Sequence, residues 1–396
     1  MTIHYHYIIT GAGCAGSSLL LRMMQEPFFQ DKKILVIEQS PKTVNDRTWC
    51  FWEKEAGLFE PIVHHRWQTL RFYSGSFSKE FSISPYQYKM IRGIDLYALV
   101  KKTAAAHTNV EWRQEKVTAI TTENELALVT TDKASYTAEY VFNSIHFGDI
   151  MQHPLGAQKG SRDVYLLQHF KGWVIETTEP VFDAAKATFM DFRVSQEQGT
   201  TFFYVLPASP TTALVEYTLF TEKLLPPEAY DEALKGYIES YLKLKNYTIQ
   251  HEEFGVIPMT NHRFPLQQGR VVYTGIAGGQ AKGSSGYAFR FIQKRAEAIV
   301  RSLAACKQID LHHSFTNSKF ALYDSVLLQV LAKRKMPGSE IFAAIFRHNP
   351  PQRVLRFLDN ESSLLDDLQI MRSVPTAVFL PAALQELTGK GSTFTG

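Results

Sequence analysis

The feature that most constrains the fold is a glycine pattern near the start of the chain. A short run of aromatic and β-branched residues, His4–Thr10, leads into Gly11–Gly16 (GAGCAG), and a Leu- and Met-rich helical pattern follows. A second apolar run, Lys33–Ile37, ends at Glu38. A strand, G-x-G-x-x-G, a helix, a second strand and an acidic residue in this order are typical of a parallel sheet that binds a dinucleotide.

Each part of this pattern has a physical role. Gly11 allows a tight turn, Gly13 with its neighbour Ala12 lets the backbone approach a pyrophosphate, and Gly16 lets helix and strand pack closely. The N–H groups at the helix N-terminus attract the phosphates. Glu38 is placed to accept hydrogen bonds from a ribose 2′-hydroxyl, which favours FAD or NAD over NADP. We expect FAD, because the motif opens a chain of 396 residues.

A second glycine-rich segment follows a strand predicted at Arg270–Thr274. It contains Gly275, Gly278 and Gly279, and a helical run begins at Tyr287. A strand, a glycine loop and a helix can again hold a phosphate or a ribityl chain. A flexible interdomain loop is the alternative interpretation.

The residues between the two glycine segments predict many short strands, which are typical of an antiparallel sheet inserted into a Rossmann-type chain. We therefore expect an α/β (α+β) fold with a Rossmann-type FAD-binding domain, an inserted antiparallel-sheet substrate domain and a helical C-terminal region. The predicted ranges are 1–45, 90–150 and 252–310 for the FAD-binding domain, 46–89 and 151–251 for the substrate domain, and 311–396 for the helical region. The last predicted helix ends near Pro375.

Composition and charge exclude several classes of protein. A hydrophobic content of 45% with 20% charged residues excludes a disordered chain, and a net charge of +3 does not suggest nucleic-acid binding. The three cysteines have no metal-binding spacing, so we expect neither a metal site nor disulfides. No signal peptide and no apolar run long enough to span a membrane are found, which predicts a cytoplasmic protein. The aromatic content of 13% indicates a large aromatic core or an apolar ligand channel.

Further motifs resemble those of a known family. They are Asp46–Trp52 (DRTWCFW), Met90–Asp95 (MIRGID), Tyr204–Pro207 (YVLP), Leu214–Thr218 (LVEYT), Gly255–Met259 (GVIPM), Gly275–Gly279 (GIAGG) and Arg356–Asp359 (RFLD). Together with the first glycine segment, they resemble the flavoprotein lycopene cyclases, specifically the bacterial lycopene β-cyclases. The resemblance runs from residue 5 to about residue 380.

The resemblance implies an isomerase that closes the ends of lycopene into β-ionone rings, by way of γ-carotene to β-carotene. Such enzymes use FAD in its reduced form, with NAD(P)H as the reductant, although no net electrons are transferred. In the family an acidic residue of a Phe-Leu-Glu-Glu-Thr-type motif donates the initiating proton. Glu216 keeps the first acid of that motif, whereas Tyr217 stands in place of the second. Ile276 stands where many FAD enzymes have an acidic residue.

The chemistry of the residues agrees with this role. Protonating an alkene requires a carboxylic acid that stays protonated near neutral pH, and burial achieves this by raising its pKa. Glu216 lies among apolar residues on a predicted strand, although an ordinary strand glutamate facing solvent is the alternative. Aromatic faces stabilise cations. The aromatic candidates are Trp49, Phe51, Trp52, Phe202, Phe203 and Tyr204, each of which could instead pack in the core.

Two arginines are further candidates for cofactor binding. Arg47 could contact a phosphate or flavin oxygen, with a surface salt bridge as the alternative. Arg92 follows a strand, at a position where related flavoproteins often place an arginine near the isoalloxazine. A structural ion pair is the alternative for Arg92.

Because lycopene resides in bilayers, we expect peripheral association with the inner face of the cell membrane. The predicted docking surface is the helical face of Phe320, Tyr323, Leu327 and Leu331 beside Lys333–Lys335, unless that face packs on the flavin domain. The alternative functions are an FAD-dependent monooxygenase or reductase acting on an isoprenoid or aromatic substrate, and a non-catalytic carotenoid- or membrane-binding protein. The oligomeric state and the number of ends cyclised are left open.

Overall fold

The structure is a computed structural model, and it describes residues 3–148, 163–306, 309 and 315–389. The predicted domain boundaries at 150/151 and 310/311 lie outside the described residues. Residues 390–396 of the predicted helical region also lie outside them.

The described residues form three sheets and a set of helices. The strands are β1 (Ile3–Thr10), β2 (Ile34–Glu38), β3 (Thr48–Glu53), β4 (Val63–Trp67), β5 (Thr69–Tyr73), β6 (Ser78–Ser82), β7 (Gln87–Arg92), β8 (Val110–Gln114), β9 (Val117–Glu123), β10 (Leu126–Thr131), β11 (Ser135–Asn143), β12 (Tyr165–Glu176), β13 (Lys186–Asp191), β14 (Thr200–Pro207), β15 (Thr212–Thr221), β16 (Thr248–Thr260), β17 (Gln267–Gln268) and β18 (Val271–Tyr273). The α-helices are α1 (Cys14–Gln25), α2 (Gly93–Ala104), α3 (Pro227–Ser240), α4 (Phe289–Cys306), α5 (Phe315–Ala332), α6 (Gly338–His348), α7 (Pro351–Leu358), α8 (Leu364–Arg372) and α9 (Thr376–Gly389).

The first sheet is built around parallel strands in the order β18-β11-β1-β2-β8. Strands β10 and β9 continue from β11 as an antiparallel meander on the same side as β18, and β17 pairs with β18. The apolar side chains of β2 are almost fully buried, as expected for a parallel strand covered on both faces. Helices α1 and α4 pack against each other in the apolar core beside this sheet. The predicted Rossmann-type fold is confirmed.

The second sheet has the order β16-β12-β15-β14-β13-β5-β6 and is antiparallel except where β13 pairs with β5. Helix α3 covers one of its faces, over a core that includes Trp173, Phe203 and Tyr217. Residues of the opposite face, such as Phe202 and Leu214, share a core with the C-terminal helices and with Trp52 on β3. The predicted inserted antiparallel sheet is therefore present. A third, small antiparallel sheet, β3-β7-β4, contacts α4 and α2.

The C-terminal helices form a cluster on the same core as the seven-stranded sheet. Helix α5 packs against α9 and contacts β12 and β16, and α6 contacts β14. Within the ranges that the structure describes, no helix is long and apolar enough to cross a bilayer.

Strand β16 corrects the sequence analysis. No strand was predicted at Thr248–Thr260, because its charged residues, a glycine and Pro258 obscure the alternation. The proline is tolerated because β16 is an edge strand of its sheet. The predicted domain boundary at residue 252 falls inside β16, which belongs wholly to the seven-stranded sheet, and the boundary at residue 90 falls inside β7.

Two predictions for the C-terminal region are wrong. The helices do not end near Pro375, because α9 begins at Thr376, and a proline beside a helix start sacrifices no helical hydrogen bond. The proposed docking face of α5 is largely internal, since Phe320 and Leu331 are buried where α5 packs on α9 and the sheet. The alternative was that this face packs on the flavin domain, whereas the structure shows α5 packed against α9 and the seven-stranded sheet.

Candidate active site

A cavity of about 410 Å³ lies where the three sheets meet. One end is lined by Gly13 at the start of α1 and by Gly275 after β18, and the other end by Glu216 on β15. The aromatic side chains along it are Trp49, Tyr88, Tyr97, Phe170, Tyr204, Tyr287 and Phe289. The fold therefore connects the two glycine segments to the predicted acid through one aromatic-lined space.

The two glycine segments meet because β1, β11 and β18 are parallel neighbours and end at the same edge of the sheet. The Ser144 hydroxyl, just beyond β11, donates a hydrogen bond to the Thr10 carbonyl at 2.8 Å. A Cβ atom added to Gly275 would lie 3.1 Å from the Cβ of Ala15 in α1. Both glycine segments thus line the same end of the cavity.

The second glycine segment requires glycine on steric grounds. Gly275 and Gly279 have φ angles of +62° and +67°, which residues with a side chain rarely adopt. At Gly278 a Cβ atom would lie 2.5 Å from the carbonyl oxygen of Tyr273. The loop therefore exposes backbone rather than side chains to the space above α1.

In the first glycine segment, Gly16 has a structural role, whereas Gly13 is placed to bind a ligand. A Cβ atom on Gly16 would lie 2.0 Å from the carbonyl oxygen of Gly11, so close packing of helix and strand excludes any side chain there. At Gly13 a Cβ atom would meet nothing within 4 Å. Gly13 also caps α1 without a side-chain hydrogen bond, which leaves backbone N–H groups directed at open space. This space fits a pyrophosphate.

Glu38 lies at the end of β2, as predicted. Its carboxylate accepts hydrogen bonds from the backbone N–H of Ala12 at 2.7 Å and from the backbone N–H and hydroxyl of Ser40, both at 3.0 Å. A second cavity of about 550 Å³ begins at Glu38 and Ser40, and Lys42 lines both cavities. An acceptor carboxylate at this point suits the ribose of an adenosine that would occupy the second cavity.

The two predicted arginines differ in position. Arg47 lines the cavity, and its guanidinium donates hydrogen bonds to the carbonyls of Asp46 at 2.7 Å and Phe254 at 2.9 Å. Arg92 makes a two-pronged ion pair with Asp95, at 2.7 and 3.0 Å, and is not among the residues that line the cavity. The structure therefore shows the alternative foreseen for Arg92, and its cofactor role stays a prediction.

Glu216 is half-buried, and its side chain lines the cavity. Burial, and after it the neighbouring carboxyl of Glu253, together raise the pKa of Glu216 to about 8. The hydroxyl of Thr218 donates a hydrogen bond to Glu216 Oε1 at 2.9 Å, which opposes this rise. Glu216 is therefore protonated near neutral pH and lies in contact with an apolar cavity.

Tyr217 points to the other face of the sheet. Its ring stacks on Phe203 at a centroid distance of 4.8 Å, in the core beneath α3. Successive residues of a strand face opposite sides. The replacement of the second acid by Tyr217 therefore removes no carboxyl from the cavity face.

The sequence analysis missed a second carboxyl on the cavity face. Glu253 on β16 and Glu216 on β15 are both paired with Gly172 on the strand between them. Glu253 is buried, and its Oε2 atom has no hydrogen-bond partner. Burial raises the pKa of Glu253. The missing signal was the strand itself, because only its pairing shows that the two residues share a face.

Of the predicted aromatic candidates, only Trp49 and Tyr204 line the cavity. Phe51 stacks on Phe289 at 4.2 Å, Trp52 is fully buried, and Phe203 lies under α3. Phe202 also lies in the core, between Phe192 and Phe220.

The fold is that of flavoproteins with a Rossmann-like nucleotide-binding domain. A geranylgeranyl bacteriochlorophyll reductase-like protein from Thermoplasma acidophilum is similar over 98% of this chain and all of its own, with a TM-score of 0.63 and 14% identity. A flavoprotein/dehydrogenase from Cytophaga hutchinsonii has the same coverage, with a TM-score of 0.61 and 13% identity. These likenesses define the class of fold.

The family follows from the sequence. The family model for "Lycopene cyclase protein" matches residues 7–384. A lycopene beta-cyclase from Pantoea ananas is 23% identical over 98% of this chain and 99% of its own length. The chain belongs to the lycopene cyclase family.

Proposed function

We propose that this protein is a lycopene β-cyclase, which converts lycopene by way of γ-carotene to β-carotene without net oxidation or reduction. One observation carries the proposal. A single cavity joins the glycine segments at Gly13 and Gly275 to Glu216, whose pKa is raised to about 8. A cofactor site and a protonated acid therefore share one aromatic-lined cavity.

FAD is the proposed cofactor. The open space at Gly13 and the N–H groups of α1 suit its pyrophosphate, Glu38 suits its adenosine ribose, and the exposed backbone at Gly275–Gly279 suits the remainder of the chain. Reduced FAD would supply negative charge that stabilises a carbocation in the cavity. NAD(P)H is the proposed reductant, needed to bring the flavin to its reduced state and not consumed with each ring.

Glu216 is the proposed proton donor. It gives its proton to the terminal double bond of lycopene, and the carbocation that results is attacked by a double bond further along the chain, which closes the ring. Loss of a proton from the ring forms the final double bond, so product and substrate have the same atoms. The raised pKa supplies the protonated carboxyl that this step needs at neutral pH.

The cavity wall is suited to a cationic intermediate. The aromatic rings along it present electron-rich faces. The hydroxyls of Tyr204 and Tyr287 lie 3.2 Å apart, and burial raises the pKa of both, so both stay neutral. No anionic oxygen of theirs is available to capture the cation.

Peripheral membrane association is proposed through a surface that we call the leucine face. Its members are large apolar side chains exposed on α8 and α9: Leu364, Leu365, Leu368, Met371, Leu380, Leu384 and Leu387. Within each helix, the spacing of these residues places them on one side of that helix. The substrate proposed here resides in bilayers, and an exposed apolar helix face can lie in the headgroup layer.

Positive charge adjoins the leucine face. Lys333, Arg334 and Lys335 are exposed at the end of α5, and the Lys333 ammonium donates a hydrogen bond to Gln385 of α9 at 3.0 Å. Each such residue adds about 1 kcal/mol of attraction near anionic lipid. The proposed partner is therefore an anionic bilayer, such as the inner face of the cell membrane.

Flotation with liposomes tests this surface. The wild-type protein is expected to float with anionic vesicles at low salt, and the double variant Leu365→Ser, Leu384→Ser is expected to stay behind. Val181→Ser is the matched control. Val181 is also an exposed apolar residue, but it lies far along the chain from the leucine face. Equal flotation of all three proteins would rule out the leucine face.

Expression in a lycopene-accumulating host tests the proposed activity. Chromatography of the pigments is expected to show γ-carotene and β-carotene. The alternative, an FAD-dependent monooxygenase or reductase, would yield oxygenated or hydrogenated products and consume one NAD(P)H per turnover. Lycopene left unchanged by a folded, FAD-loaded protein would refute the proposal.

A further inference from the structure

The inference concerns Glu253, which faces Glu216 across β12. Both residues are paired with Gly172, and paired residues of neighbouring strands share a face of the sheet. A Cβ atom on Gly172 would lie 3.2 Å from Glu253 Cγ and 3.5 Å from Glu253 Oε1. The Glu253 side chain therefore extends over Gly172 toward Glu216, through space that any other residue would fill.

The surroundings distinguish the two carboxyls. Hydrogen bonding from Thr48 and the nearby charges of His251 and Arg47 favour the ionised form of Glu253, in opposition to burial. Glu216 has only the hydroxyl of Thr218 to favour its ionised form. Two carboxylates this close do not both ionise readily, so one proton is retained by the pair. Since more groups favour the ionised form at Glu253 than at Glu216, the proton of the pair is favoured on Glu216.

The other groups named around the pair do not supply a competing negative charge. The titratable and charged groups that pack around the two carboxyls are Arg47 and Cys50 on β3, Tyr88 on β7, Tyr204 on β14, His251 on β16 and Tyr287 before α4. Burial raises the pKa of the Cys50 thiol and of the three tyrosines, which therefore remain neutral. This leaves Glu253 as the group that can place a negative charge beside Glu216.

We propose that Glu253 is the positioning partner of Glu216, and that the two carboxyls share one proton across Gly172 so that Glu216 is protonated when substrate arrives. The proposal rests on the proposed function, because the cyclisation is the reaction that uses this proton. Glu216 transfers the proton to a substrate double bond, and a new C–H bond forms. The proton released when the ring double bond forms returns to the pair. Protons and electrons balance over the cycle.

Glu253→Gln removes the negative charge and leaves the shape. Without the neighbouring charge, the pKa of Glu216 falls, and each unit of that fall lowers the protonated fraction about tenfold at pH values above the pKa. The high-pH limb of the activity profile is expected to move to lower pH, while kcat on the low-pH plateau changes little. Glu253→Asp keeps the charge but draws it back from Glu216, so it is expected to shift the profile in the same direction by a smaller amount.

Glu252→Gln is the matched control. Glu252 is the preceding residue of β16, it is exposed on the opposite face, and it pairs with Lys171 at 3.1 Å. Its replacement is expected to leave the pH profile unchanged.

Infrared spectroscopy of the FAD-loaded protein provides a readout that needs no turnover. The carboxylic acid C=O band of Glu216, assigned by its loss in Glu216→Gln, is expected to titrate at lower pH in Glu253→Gln than in the wild type. A folded Glu253→Gln protein with a wild-type midpoint and profile would overturn the proposal. If Glu253→Gln does not fold, the same titration of Glu253→Asp decides, because a shortened side chain must shift the midpoint if the pair is real. A shifted midpoint in a protein that cyclises no lycopene would uphold the pair and refute the proposed function.

Discussion

The two faces of the seven-stranded sheet are built from alternate residues of the same strands, yet they hold different chemistry. On the α3 face, Phe203, Tyr217 and Tyr237 stack, with Phe203 and Tyr237 at a centroid distance of 3.9 Å. On the cavity face, Glu216 and Glu253 lie on either side of Gly172. One face fills space with rings, and the other keeps a cavity and two carboxyls.

This difference shows what a strand can and cannot supply to a site. Adjacent residues such as Glu216 and Tyr217 always face opposite sides, so two consecutive acids in a motif place only one in the cavity. A second acid on the same face comes either from two residues along the same strand or from another strand, and here it is Glu253 on β16. The departure at Tyr217 affects the core under α3 rather than the proposed chemistry.

The strongest test of the comparison is to substitute one residue on each face in turn. Glu216→Gln keeps the shape of the side chain and removes the acid, and loss of a positioned proton donor lowers the rate by about 10²–10⁴-fold. Tyr217→Phe, one residue away, is expected to retain near-normal activity. Steady-state cyclisation by the two FAD-loaded variants provides the measurement. Comparable losses in both would mean that the division between the faces is false.

Gly13, just before α1, and Gly16, within it, offer a similar contrast in the first glycine segment. Gly13→Val projects a side chain into open space, so the protein is expected to fold but to lose FAD. Gly16→Val clashes with the carbonyl of Gly11 and is expected to prevent folding. Circular dichroism and flavin absorbance of the purified variants report both properties. Stoichiometric FAD in Gly13→Val would show that the pyrophosphate lies elsewhere.

The α3 face is expected to govern stability instead of activity. Tyr237 is buried, stacks on Phe203, and donates a hydrogen bond to Asp191 at 2.7 Å. Tyr237→Ala is expected to lower the free energy of unfolding by about 3–5 kcal/mol, as large-to-small aromatic substitutions do. Denaturant titration measures this loss, and the kcat of the folded variant is expected to remain close to that of the wild type. A large fall in kcat with unchanged stability would contradict the assignment.

The two faces are also expected to differ in how their titratable residues respond to pH. Because burial raises the pKa of Glu216 to about 8, activity is expected to be constant below that pH and to fall about tenfold per unit above it. The folded pKa lies above the ordinary value of 4.5, so the fold loses stability as pH rises from about 4.5 to about 8. Glu216→Gln is expected to lose this dependence. Tyr217, whose pKa is raised to about 12, contributes nothing over this range.

The local patterns of the sequence predicted a large part of this structure. Strand β1, the glycine turn, α1 and β2 follow from residues close together in the chain, and so does the position of Glu38. The residues of the cavity face could be predicted from the sequence only in part. Glu253 lies in a charged segment without clear alternation, and its relation to Glu216 depends on the pairing of three strands that are distant in sequence.

Contacts that form only in three dimensions also explain the remaining errors. The apolar pattern of α5 predicted a helix correctly but could not show that α9 covers it. The exposed leucine face on α8 and α9 has the same kind of pattern, and only the fold shows that it is left uncovered. A pattern identifies an apolar face, whereas packing decides whether that face is internal.

The most direct test of the account is cyclisation of lycopene in deuterium oxide by the protein with chemically reduced FAD, under anaerobic conditions and without nicotinamide. Mass spectrometry of the product and flavin absorbance are recorded together. The account predicts one solvent deuteron in each new ring and a flavin that is still reduced when many rings have formed. Product without deuterium, or one flavin oxidised for each ring closed, would contradict it.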